Sequence, residues 1–539
     1  MPQPIRATAL VLLSCVALTI GTRAQAGSNC DHACRARGQL LDHRVTLRLS
    51  AAALSRNVLA SSPSGQQLMQ MAGAPVCGVQ VVYFRYRTIG GAGEAATASG
   101  ALMIPQGESR ACSGPRPLML YAHGTTAYSQ YNLADITRTD PNNEGAGEGL
   151  SVAAMYAAHG YIVAASNYAG YAGSDLPYHP YLNAEQQSAD MIDALHAARV
   201  VMKDSGATAA ARENGKLFIT GYSQGGFVAL ATHRALQAAG VSVTASAPGS
   251  GPYALAATAD AITAGQVALG STLFTTLAVT GYQRAYKNLY RQPAEFFEAA
   301  YAPHIEHLLP SAQSLDTLFS QGSLPPSHLF SSTPPGPQFA SLTPPAAPSL
   351  TPPAFAPLFA AGFGDANLVR NSYRRALLED AAAHPDGAFP DATPALTPAA
   401  NPMQPLRQAF RRNDLRNWVP KAPVLLCGGA ADPMVFFFNT RMEEAYWLKA
   451  KVPAGLTSVL DVDSAAGGPD DPFAAIKQGF AGAKAAVARE AVAAGAKDGG
   501  ASAVLRAYHG ELVAGSCMIA ARAFFDGFEA SLLSVSAMR

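Results

Sequence analysis

The sequence predicts an α/β protein built on a mostly parallel central sheet with helices on both faces. Short apolar strands alternate with helical patterns in two separated stretches of the 539-residue chain. Strands separated by helices are typical of parallel sheets, because each parallel connection needs a crossover. A Gly-x-Ser-x-Gly pentapeptide occurs at 221–225, where a predicted strand meets a predicted helix. Between the two stretches lies a long segment that does not alternate, so we expect the sheet to carry a large insertion.

The predicted elements follow one another in two groups. Before residue 253 the pattern predicts a β-meander at 79–89 and 97–104, strands at 117–122, 161–166, 216–220 and 243–247, and helices at 150–158, 184–202 and 224–239. After residue 420 it predicts strands at 423–427 and 458–462 and helices at 439–450 and 472–494. The resulting division is an N-terminal segment at 27–75, the first part of the core at 76–252, a cap insertion at 253–420 and the second part of the core at 421–539.

The cap insertion divides into a helical first half and a proline-rich stretch at 331–357. Three Thr-Pro-Pro copies occur in that stretch, and proline at this density prevents regular helix, so we expect an extended surface strap. The first half contains an apolar run at 269–279. It also contains five aromatic residues that could either line a pocket or pack within the cap. These are Tyr282, Tyr286, Tyr290, Phe296 and Phe297.

Charge and hydropathy exclude two classes of partner. Charged residues make up 14% of the chain and the formal net charge is +1, whereas nucleic-acid-binding proteins carry clustered basic charge. No apolar stretch of about 18 residues follows the N-terminus, so no transmembrane segment is expected after signal cleavage. The oligomeric state is not predictable from the sequence.

The first 26 residues have the pattern of an export signal. Arg6 gives a positive start, residues 7–21 are apolar, and Ala24-Gln25-Ala26 is a small-x-small cleavage site, so we expect cleavage after Ala26. A lipoprotein site at Cys15 is the alternative, but the apolar run continues past it. The mature protein is therefore expected to be secreted or periplasmic.

The cysteines remaining after cleavage are even in number, as expected for disulfide bonds in an oxidising compartment. Buried free thiols are the alternative, and the spacing does not favour a zinc site. The expected pairs are Cys30 with Cys34, Cys77 with Cys112, and Cys427 with Cys517.

Ser223 is the candidate nucleophile. It stands at the centre of Gly221-Tyr222-Ser223-Gln224-Gly225, after the strand-like residues 217–220 and before the helical residues 227–231. A tight strand-to-helix turn strains the serine backbone and exposes its hydroxyl, while the flanking glycines relieve crowding. A structural turn with an idle serine is the alternative interpretation.

A serine hydroxyl needs a base, and the base needs an acid that orients it. His509 is the candidate base, in a predicted loop just before a C-terminal helix. Asp432 is the candidate acid, because it follows the buried strand 424–427 and a small-residue turn. The chain order Ser223, Asp432, His509 is that of the α/β-hydrolase fold. The rival acids are Asp461, Asp463 and Glu511.

Two backbone N–H groups are the expected oxyanion donors. One belongs to Gln224, directly after the nucleophile. The other is expected at Thr125, in the loop His123-Gly124-Thr125 that follows the strand 117–122. His123 is interpreted as a residue that braces this loop.

Several short motifs together resemble the secretory lipase family (the lipase A type) within the α/β-hydrolases. The resemblance covers roughly 116–252 and 421–530. The motifs are His123-Gly124, Asn167-Tyr168-Ala169-Gly170, His179-Pro180-Tyr181-Leu182, 221–226, Asp432-Pro433 and His509-Gly510. Asn167 stands where the family often has aspartate, and the helix at 472–494 lengthens the spacing between acid and base. The resemblance implies activity on acyl esters, a helical cap and no cofactor.

The function expected from these observations is a secreted serine carboxylic ester hydrolase, an esterase or lipase that acts through an acyl-enzyme on small-molecule or lipid esters. No cofactor or metal is expected. A serine peptidase of the same fold is one alternative, although no motif for anchoring a peptide is present. A non-catalytic exported binding protein is the other.

Overall fold

The computed structural model describes residues 37–204, 211–345, 351–386, 396–468 and 470–536. The expected signal at 1–26 and the expected Cys30–Cys34 pair lie outside these residues. The strands are β1 (Leu40–Leu49), β2 (Gly78–Ile89), β3 (Ala95–Gln106), β4 (Gly114–Ala122), β5 (Ile162–Ser166), β6 (Ala211–Tyr222), β7 (Ala245–Gly249), β8 (Val424–Gly428) and β9 (Thr457–Asp461).

The helices lie mostly between the strands. They are α1 (Ala51–Ala53), α2 (Pro63–Ala72), α3 (Gly145–Met155), α4 (Ala184–Asp204), α5 (Gln224–Ala238), α6 (Leu255–Thr263), α7 (Ser271–Tyr286), α8 (Leu315–Ser320), α9 (Ala356–Ala360), α10 (Asn371–Ala383), α11 (Pro405–Asn413), α12 (Phe438–Lys449), α13 (Ala474–Ala493), α14 (Ala501–Ala507) and α15 (Ala514–Ser536). No helix in the described part of the chain is both long and apolar enough to span a membrane.

The nine strands form one sheet in the order β1-β2-β3-β5-β4-β6-β7-β8-β9. Strands β1, β2, β3 and β5 pair antiparallel, and every pair from β5 to β9 is parallel. The parallel strands β5, β7 and β8 are buried along their whole length, as expected for a sheet covered on both faces. Parallel strands place their carboxyl ends at one edge, and the candidate site lies at that edge.

Strand β1 was not predicted from the sequence. It lies within the predicted N-terminal segment and pairs antiparallel with β2 at the edge of the sheet. Its residues are mostly exposed, and Asp42, His43 and Arg44 interrupt any apolar alternation. Charged side chains suit an edge strand, where they discourage pairing with other chains, but they hide the strand from a search based on hydrophobic period.

The interval between β7 and β8 contributes helices α6 to α11 and, within its described residues, no strand of the sheet. Its interior holds a hydrophobic cluster that includes Tyr282, Tyr290, Phe296 and Phe297. These cap aromatics therefore pack against one another, and Tyr286 lies partly buried beside them.

The proline-rich stretch differs from the predicted extended strap. Short helical turns occur at Pro337–Phe339 and Pro353–Phe355, and α9 begins at Ala356. Proline is tolerated in the first turn of a helix, because the N–H that it lacks would have no intrahelical acceptor. Phe339 is buried in a cluster of cap residues, and Phe355 is buried in a cluster that also includes Phe436 and Phe438 after β8. The stretch is thus anchored into the cap by its aromatic side chains.

Candidate active site

Ser223 lies in the turn that joins β6 to α5. Its φ is 60° and its ψ is −123°, a conformation that side-chain-bearing residues rarely adopt. The flanking glycines allow a close approach, since a Cβ at Gly225 would lie 1.9 Å from the Ala122 carbonyl oxygen and one at Gly221 would lie 2.5 Å from it. The sequence motif thus reflects a steric requirement where β6 passes the end of β4.

The loop after β4 runs alongside the serine. A Cβ built at Gly124 would lie 3.9 Å from the Ser223 Cβ. The Ser223 N–H donates to the Gly249 carbonyl oxygen at the end of β7, at 2.9 Å. Three strand ends therefore surround the serine, whose residue surface is 9% exposed.

His509 and Asp432 are in contact, as the sequence order of the two residues suggests. The His509 Nδ1–H donates to Asp432 Oδ2 at 2.7 Å, and both residues are buried. Asp432 Oδ1 accepts from the N–H groups of Met434 and Val435 at 2.9 and 3.0 Å. These contacts fix the carboxylate and place the proton of a neutral imidazole on Nδ1. The other ring nitrogen, Nε2, is buried and has no hydrogen-bond partner among the described residues.

His509 does not lie in a loop, contrary to the sequence prediction. It lies in a π-helical turn, Tyr508–Val513, which joins α14 to α15. Wide turns of this kind recur at functional sites because they redirect side chains within a helix. The Tyr222 hydroxyl donates to the His509 carbonyl oxygen at 2.6 Å and ties the turn to the residue before Ser223.

The rival acids make other contacts. Asp461 accepts from the N–H groups of Ala430 and Asp463, both at 3.0 Å. Asp463 accepts from the Tyr508 hydroxyl at 2.7 Å and pairs with Lys484. Glu511 is exposed. Asp432 is the carboxylate that contacts the His509 ring.

Two disulfide bonds join core segments in the described part of the chain, and both match the predicted pairs. Cys77–Cys112 links the residue before β2 to the loop before β4. Cys427–Cys517 links the end of β8 to α15, the helix that follows the His509 turn. The second bond therefore joins the strand before Asp432 to the helix after His509.

The two predicted oxyanion donors belong to segments that adjoin Ser223, since Gln224 follows it in the chain and Thr125 follows Gly124, which lies close to it. Gln224 begins α5, so its N–H is one of the first in the helix and has no intrahelical acceptor. In the loop after β4, the N–H of Gly124, the residue before Thr125, donates to Glu148 Oε1 at 3.3 Å. Thr125 remains the predicted donor of this loop, and its Oγ1 lies 2.9 Å from the Tyr181 hydroxyl.

His123 is enclosed by the loops around the site. Its Nδ1 lies 2.7 Å from the Gly124 carbonyl oxygen and its Nε2 lies 3.2 Å from the Asn167 carbonyl oxygen. Its ring stacks between Tyr131 and Tyr168 with centroid distances of 4.4 and 4.1 Å. Burial lowers the pKa of His123. These contacts hold the loop after β4 in place. Because both ring nitrogens are engaged by them, His123 is not a candidate for the base.

A small apolar cavity of about 80 Å³ opens beside Ser223. The cap contributes much of its wall, from helices α6, α7 and α11. The lining residues from those helices are Leu255, Thr258, Ala259, Ile262, Phe274, Thr275, Ala278 and Phe410. Part of the predicted apolar run at 269–279 thus faces the serine, whereas the five cap aromatics do not line this cavity.

Sequence reasoning gave no role to His179, Tyr181 and Glu148. His179 Nε2 lies 2.7 Å from the side-chain amide of Gln224, and Glu148 accepts from the Tyr121 hydroxyl at 2.7 Å. The only sequence feature that pointed to two of these residues was the His-Pro-Tyr-Leu motif. It contributed to the family resemblance but did not indicate which residues His179 and Tyr181 contact. Contacts between such distant residues have no local pattern.

The protein has the α/β-hydrolase fold, with a helical insertion between β7 and β8. The chain is similar to the rice cell wall degrading esterase LipA from Xanthomonas oryzae. The ligand-bound form is 29% identical, with a TM-score of 0.60, and the match covers 82% of this chain and 95% of that one. Another structure of LipA is 28% identical, with a TM-score of 0.58 and the same coverage.

A more distant match shares the fold. A protein from Legionella pneumophila, provisionally described as a hydrolase, is 18% identical with a TM-score of 0.55, and the match covers 78% of this chain and 91% of that one. No family model matches the chain, and no curated protein matches it. The structural comparisons confirm the predicted fold and show the predicted similarity to an esterase.

Proposed function

We propose that this chain is an exported serine carboxylic ester hydrolase that acts through an acyl-enzyme. The observation that carries the proposal is the hydrogen bond of 2.7 Å between His509 Nδ1 and Asp432 Oδ2, while the buried Nε2 has no hydrogen-bond partner among the described residues. Ser223 supplies the nucleophile, in a strained turn between a strand and a helix. The similarity to an esterase supports the choice of an ester substrate.

The proposed reaction divides the work among these groups. His509 Nε2 takes the proton of the Ser223 hydroxyl as the oxygen attacks the ester carbonyl, and it later returns a proton to the leaving alcohol. Asp432 stabilises the imidazolium that forms. The N–H groups of Gln224 and Thr125 hold the negative oxygen of the tetrahedral intermediate. Water then attacks the acyl-enzyme with the help of the same histidine.

The size of the cavity favours a short acyl chain. Its volume of about 80 Å³ is well below the roughly 300–1,000 Å³ of pockets that enclose drug-sized ligands. Its walls are mainly apolar, so the cavity is better suited to bind the acyl group of an ester than a polar side chain of a peptide substrate. Export is supported by the predicted signal at 1–26 and by two disulfide bonds, which form in oxidising compartments.

The test is a substrate series on the purified mature protein. We expect hydrolysis of p-nitrophenyl esters with a maximum at short acyl chains, and no cleavage of aminoacyl or prolyl amides. Ser223→Ala is expected to lose ester hydrolysis by a factor of roughly 10⁴ or more. Cleavage of the amides without ester turnover would favour the peptidase interpretation, and turnover of neither by the folded protein would favour a binding protein.

A further inference from the structure

The segment His179–Leu182 contacts both of the predicted oxyanion donor residues. His179 Nε2 lies 2.7 Å from the Gln224 side-chain nitrogen, and the Tyr181 hydroxyl lies 2.9 Å from Thr125 Oγ1. We propose that His179 and Tyr181 are positioning residues, which hold the N–H groups of Gln224 and Thr125 at the distance that the oxyanion requires. This inference rests on the proposed function, since it assigns a role within the same site.

The contacts of His179 determine the direction of its hydrogen bonds. Its Nδ1 lies 2.9 Å from the Ala169 carbonyl oxygen, which can only accept, so Nδ1 carries the proton. Nε2 of the neutral ring then accepts from the Gln224 amide at 2.7 Å and faces the Gln187 amide at 3.4 Å. Burial lowers the pKa of His179 to about 3, so the ring stays neutral over the working range of most enzymes.

The acceptor of the His179 proton is itself fixed from the core. The N–H of Ala169 donates to Asp190 Oδ2 at 2.7 Å, and Asp190 Oδ1 accepts from the Tyr86 hydroxyl at 2.5 Å. Tyr86 belongs to β2, and Asp190 belongs to α4. A continuous set of hydrogen bonds therefore joins the sheet, through Ala169 and His179, to the side chain of Gln224. Because Gln224 has its side chain anchored, the first peptide of α5 loses freedom to rotate.

The same segment is held from the other side by the cap. The Tyr282 hydroxyl of α7 donates to the Leu182 carbonyl oxygen at 3.0 Å. A Cβ at Gly281 would lie 3.1 Å from the His179 carbonyl oxygen, so α7 and the segment approach closely because that position is glycine. Tyr181 also lines the cavity beside Ser223. The segment thus lies between the cap helix and the two donor residues.

Such positioning acts on the transition state more than on substrate binding. The oxyanion forms only when the carbonyl carbon becomes tetrahedral, so misplaced donors lower kcat and leave KM nearly unchanged. A displacement of about 1 Å in a catalytic group can cost roughly 10²-fold. A residue that only stabilised the fold would lower the amount of active protein and leave the kinetic constants of the folded fraction unchanged.

The main variant is Tyr181→Phe, which removes one hydroxyl and preserves the ring. Its matched control is Tyr178→Phe, because the Tyr178 hydroxyl donates to Glu94 at 2.6 Å and accepts from the Gly91 N–H at 2.9 Å, and it has no hydrogen bond to either donor residue among the described contacts. We expect kcat to fall about 10-fold in Tyr181→Phe and to stay within about twofold of wild type in Tyr178→Phe. KM is expected to change by less than about twofold in both.

His179 is tested by removal and by partial rescue. His179→Leu removes the acceptor and is expected to lower kcat roughly 10²-fold, whereas His179→Gln restores an acceptor oxygen and should recover part of that loss. If His179 acts through the Gln224 side chain, His179→Leu should have little further effect on kcat in a Gln224→Ala background.

An alkyl trifluoromethyl ketone serves as the transition-state analogue, because its adduct with serine carries the oxyanion. Its Ki should rise in each variant by the same factor by which kcat/KM falls. The inference is overturned if the kcat of Tyr181→Phe equals that of Tyr178→Phe, or if the variants change KM instead of kcat. It is also overturned if Ki does not change in proportion to kcat/KM. Absence of ester hydrolysis in the wild type would overturn the proposed function and this inference together, whereas an active wild type with unaffected variants would overturn the inference alone.

Discussion

The sheet that carries Ser223 and the cap that covers it differ in what their interiors contain. The strands around the serine are apolar and buried, with β5, β7 and β8 buried along their whole length. The three buried arginines among the described residues lie in the cap or at its C-terminal junction. These are Arg374, Arg407 and Arg416. Among the described residues the core therefore buries no arginine, whereas the cap is held together by buried guanidinium groups as well as by apolar packing.

The cap arginines link segments that are far apart in sequence. Arg407 of α11 pairs with Asp260 of α6 and with Asp380 of α10, each at 2.6 Å. The Arg374 guanidinium donates to the Leu342 carbonyl oxygen at 2.7 Å, which holds the proline-rich stretch against α10. Buried ion pairs gain little net stability after desolvation, so their clearest effect is to fix which segments meet. The core segments that carry the candidate triad therefore have sequence patterns that can be recognised locally, whereas the cap that lines the cavity is arranged by long-range contacts that leave no such pattern.

The largest effect is expected in the core, from Asp432→Asn. Neutralising the acid favours the wrong tautomer of His509, so kcat should fall by about 10³- to 10⁴-fold while the fold is retained. Steady-state kinetics with a short-chain p-nitrophenyl ester measures the change. The matched control is Asp463→Asn, since Asp463 contacts Tyr508 and Lys484 and not the His509 ring. If Asp463→Asn were inactive and Asp432→Asn remained active, the acid of the triad would be Asp463, after the next strand, and not Asp432.

The next effect concerns the disulfide bonds, both of which join core segments among the described residues. Removing Cys427–Cys517 with a double alanine variant should lower the free energy of unfolding by about 2–4 kcal/mol, because the bond closes a 90-residue separation. Guanidinium unfolding measures the loss. The Cys77–Cys112 double variant is the control, and the Cys427–Cys517 variant should lose more activity because its bond flanks Asp432 and His509. Equal activity in the two variants would show that the Cys427–Cys517 bond does not help to position Asp432 and His509.

A smaller effect is expected at the junction of cap and core, from Glu443→Gln. Glu443 of α12 is fully buried and both its carboxylate oxygens lack a hydrogen-bond partner in the described structure, and burial raises its pKa to about 8. Asp414 reinforces the rise in pKa, whereas Arg416 and Arg234 oppose it. Because the folded-state pKa lies above the ordinary value of 4.5, its contribution to stability is present below about pH 4.5 and is lost as the pH rises to about 8.

Glu443→Gln should therefore be more stable than wild type at about pH 8, by about 1–2 kcal/mol, and the gain should shrink towards about pH 5. Urea unfolding at the two pH values measures it. Glu444→Gln is the matched control, since Glu444 is half-exposed and pairs with Arg441 on the same helix. A gain that does not depend on pH would mean that the carboxyl is ionised in the folded protein.

The smallest effect is expected within the cap, on selectivity. Phe274→Ala should enlarge the cavity beside Ser223 and raise the kcat/KM ratio of longer to shorter acyl esters by about 10-fold, since each added buried methylene gains about 0.8 kcal/mol. Phe319→Ala is the matched control, a partly buried cap phenylalanine that does not line the cavity. Shortening the proline-rich stretch should change the ratio little. If the ratio changed when that stretch was shortened and did not change in Phe274→Ala, the proline-rich stretch and not α7 would determine acyl-chain selectivity.

The sequence was sufficient for the parallel strands and for the motif around Ser223, because both have local signals. Apolar runs identify buried strands, and the glycines around Ser223 reflect a close approach between β4 and β6. The chain order suggested Asp432 and His509, and the structure brings them to 2.7 Å. The π-helical turn at His509 was missed because Tyr508-His509-Gly510 has no pattern that distinguishes such a turn from a loop.

Other features could not be predicted, for definite physical reasons. Strand β1 carries charges that suit a sheet edge and remove its alternation. Aromatic residues look the same in a sequence whether they pack together or line a pocket. The position of Phe296 and Phe297 within the cap could therefore not be predicted from the sequence. The contact between His179 and Gln224 joins residues 45 positions apart through two side-chain atoms. Such a contact becomes visible only when the loops around the site have been placed.

Covalent labelling with a fluorophosphonate probe tests whether Ser223 is a nucleophile activated by His509. We expect a single adduct, located by peptide mass spectrometry on Ser223, together with loss of ester hydrolysis. Ser223→Ala should fold and take up no label, whereas Ser246→Ala, which removes a buried hydroxyl 2.8 Å from His233 Nδ1, should still be labelled at Ser223. An adduct on another serine, or ester hydrolysis that persists in purified Ser223→Ala, would mean that Ser223 is not the nucleophile.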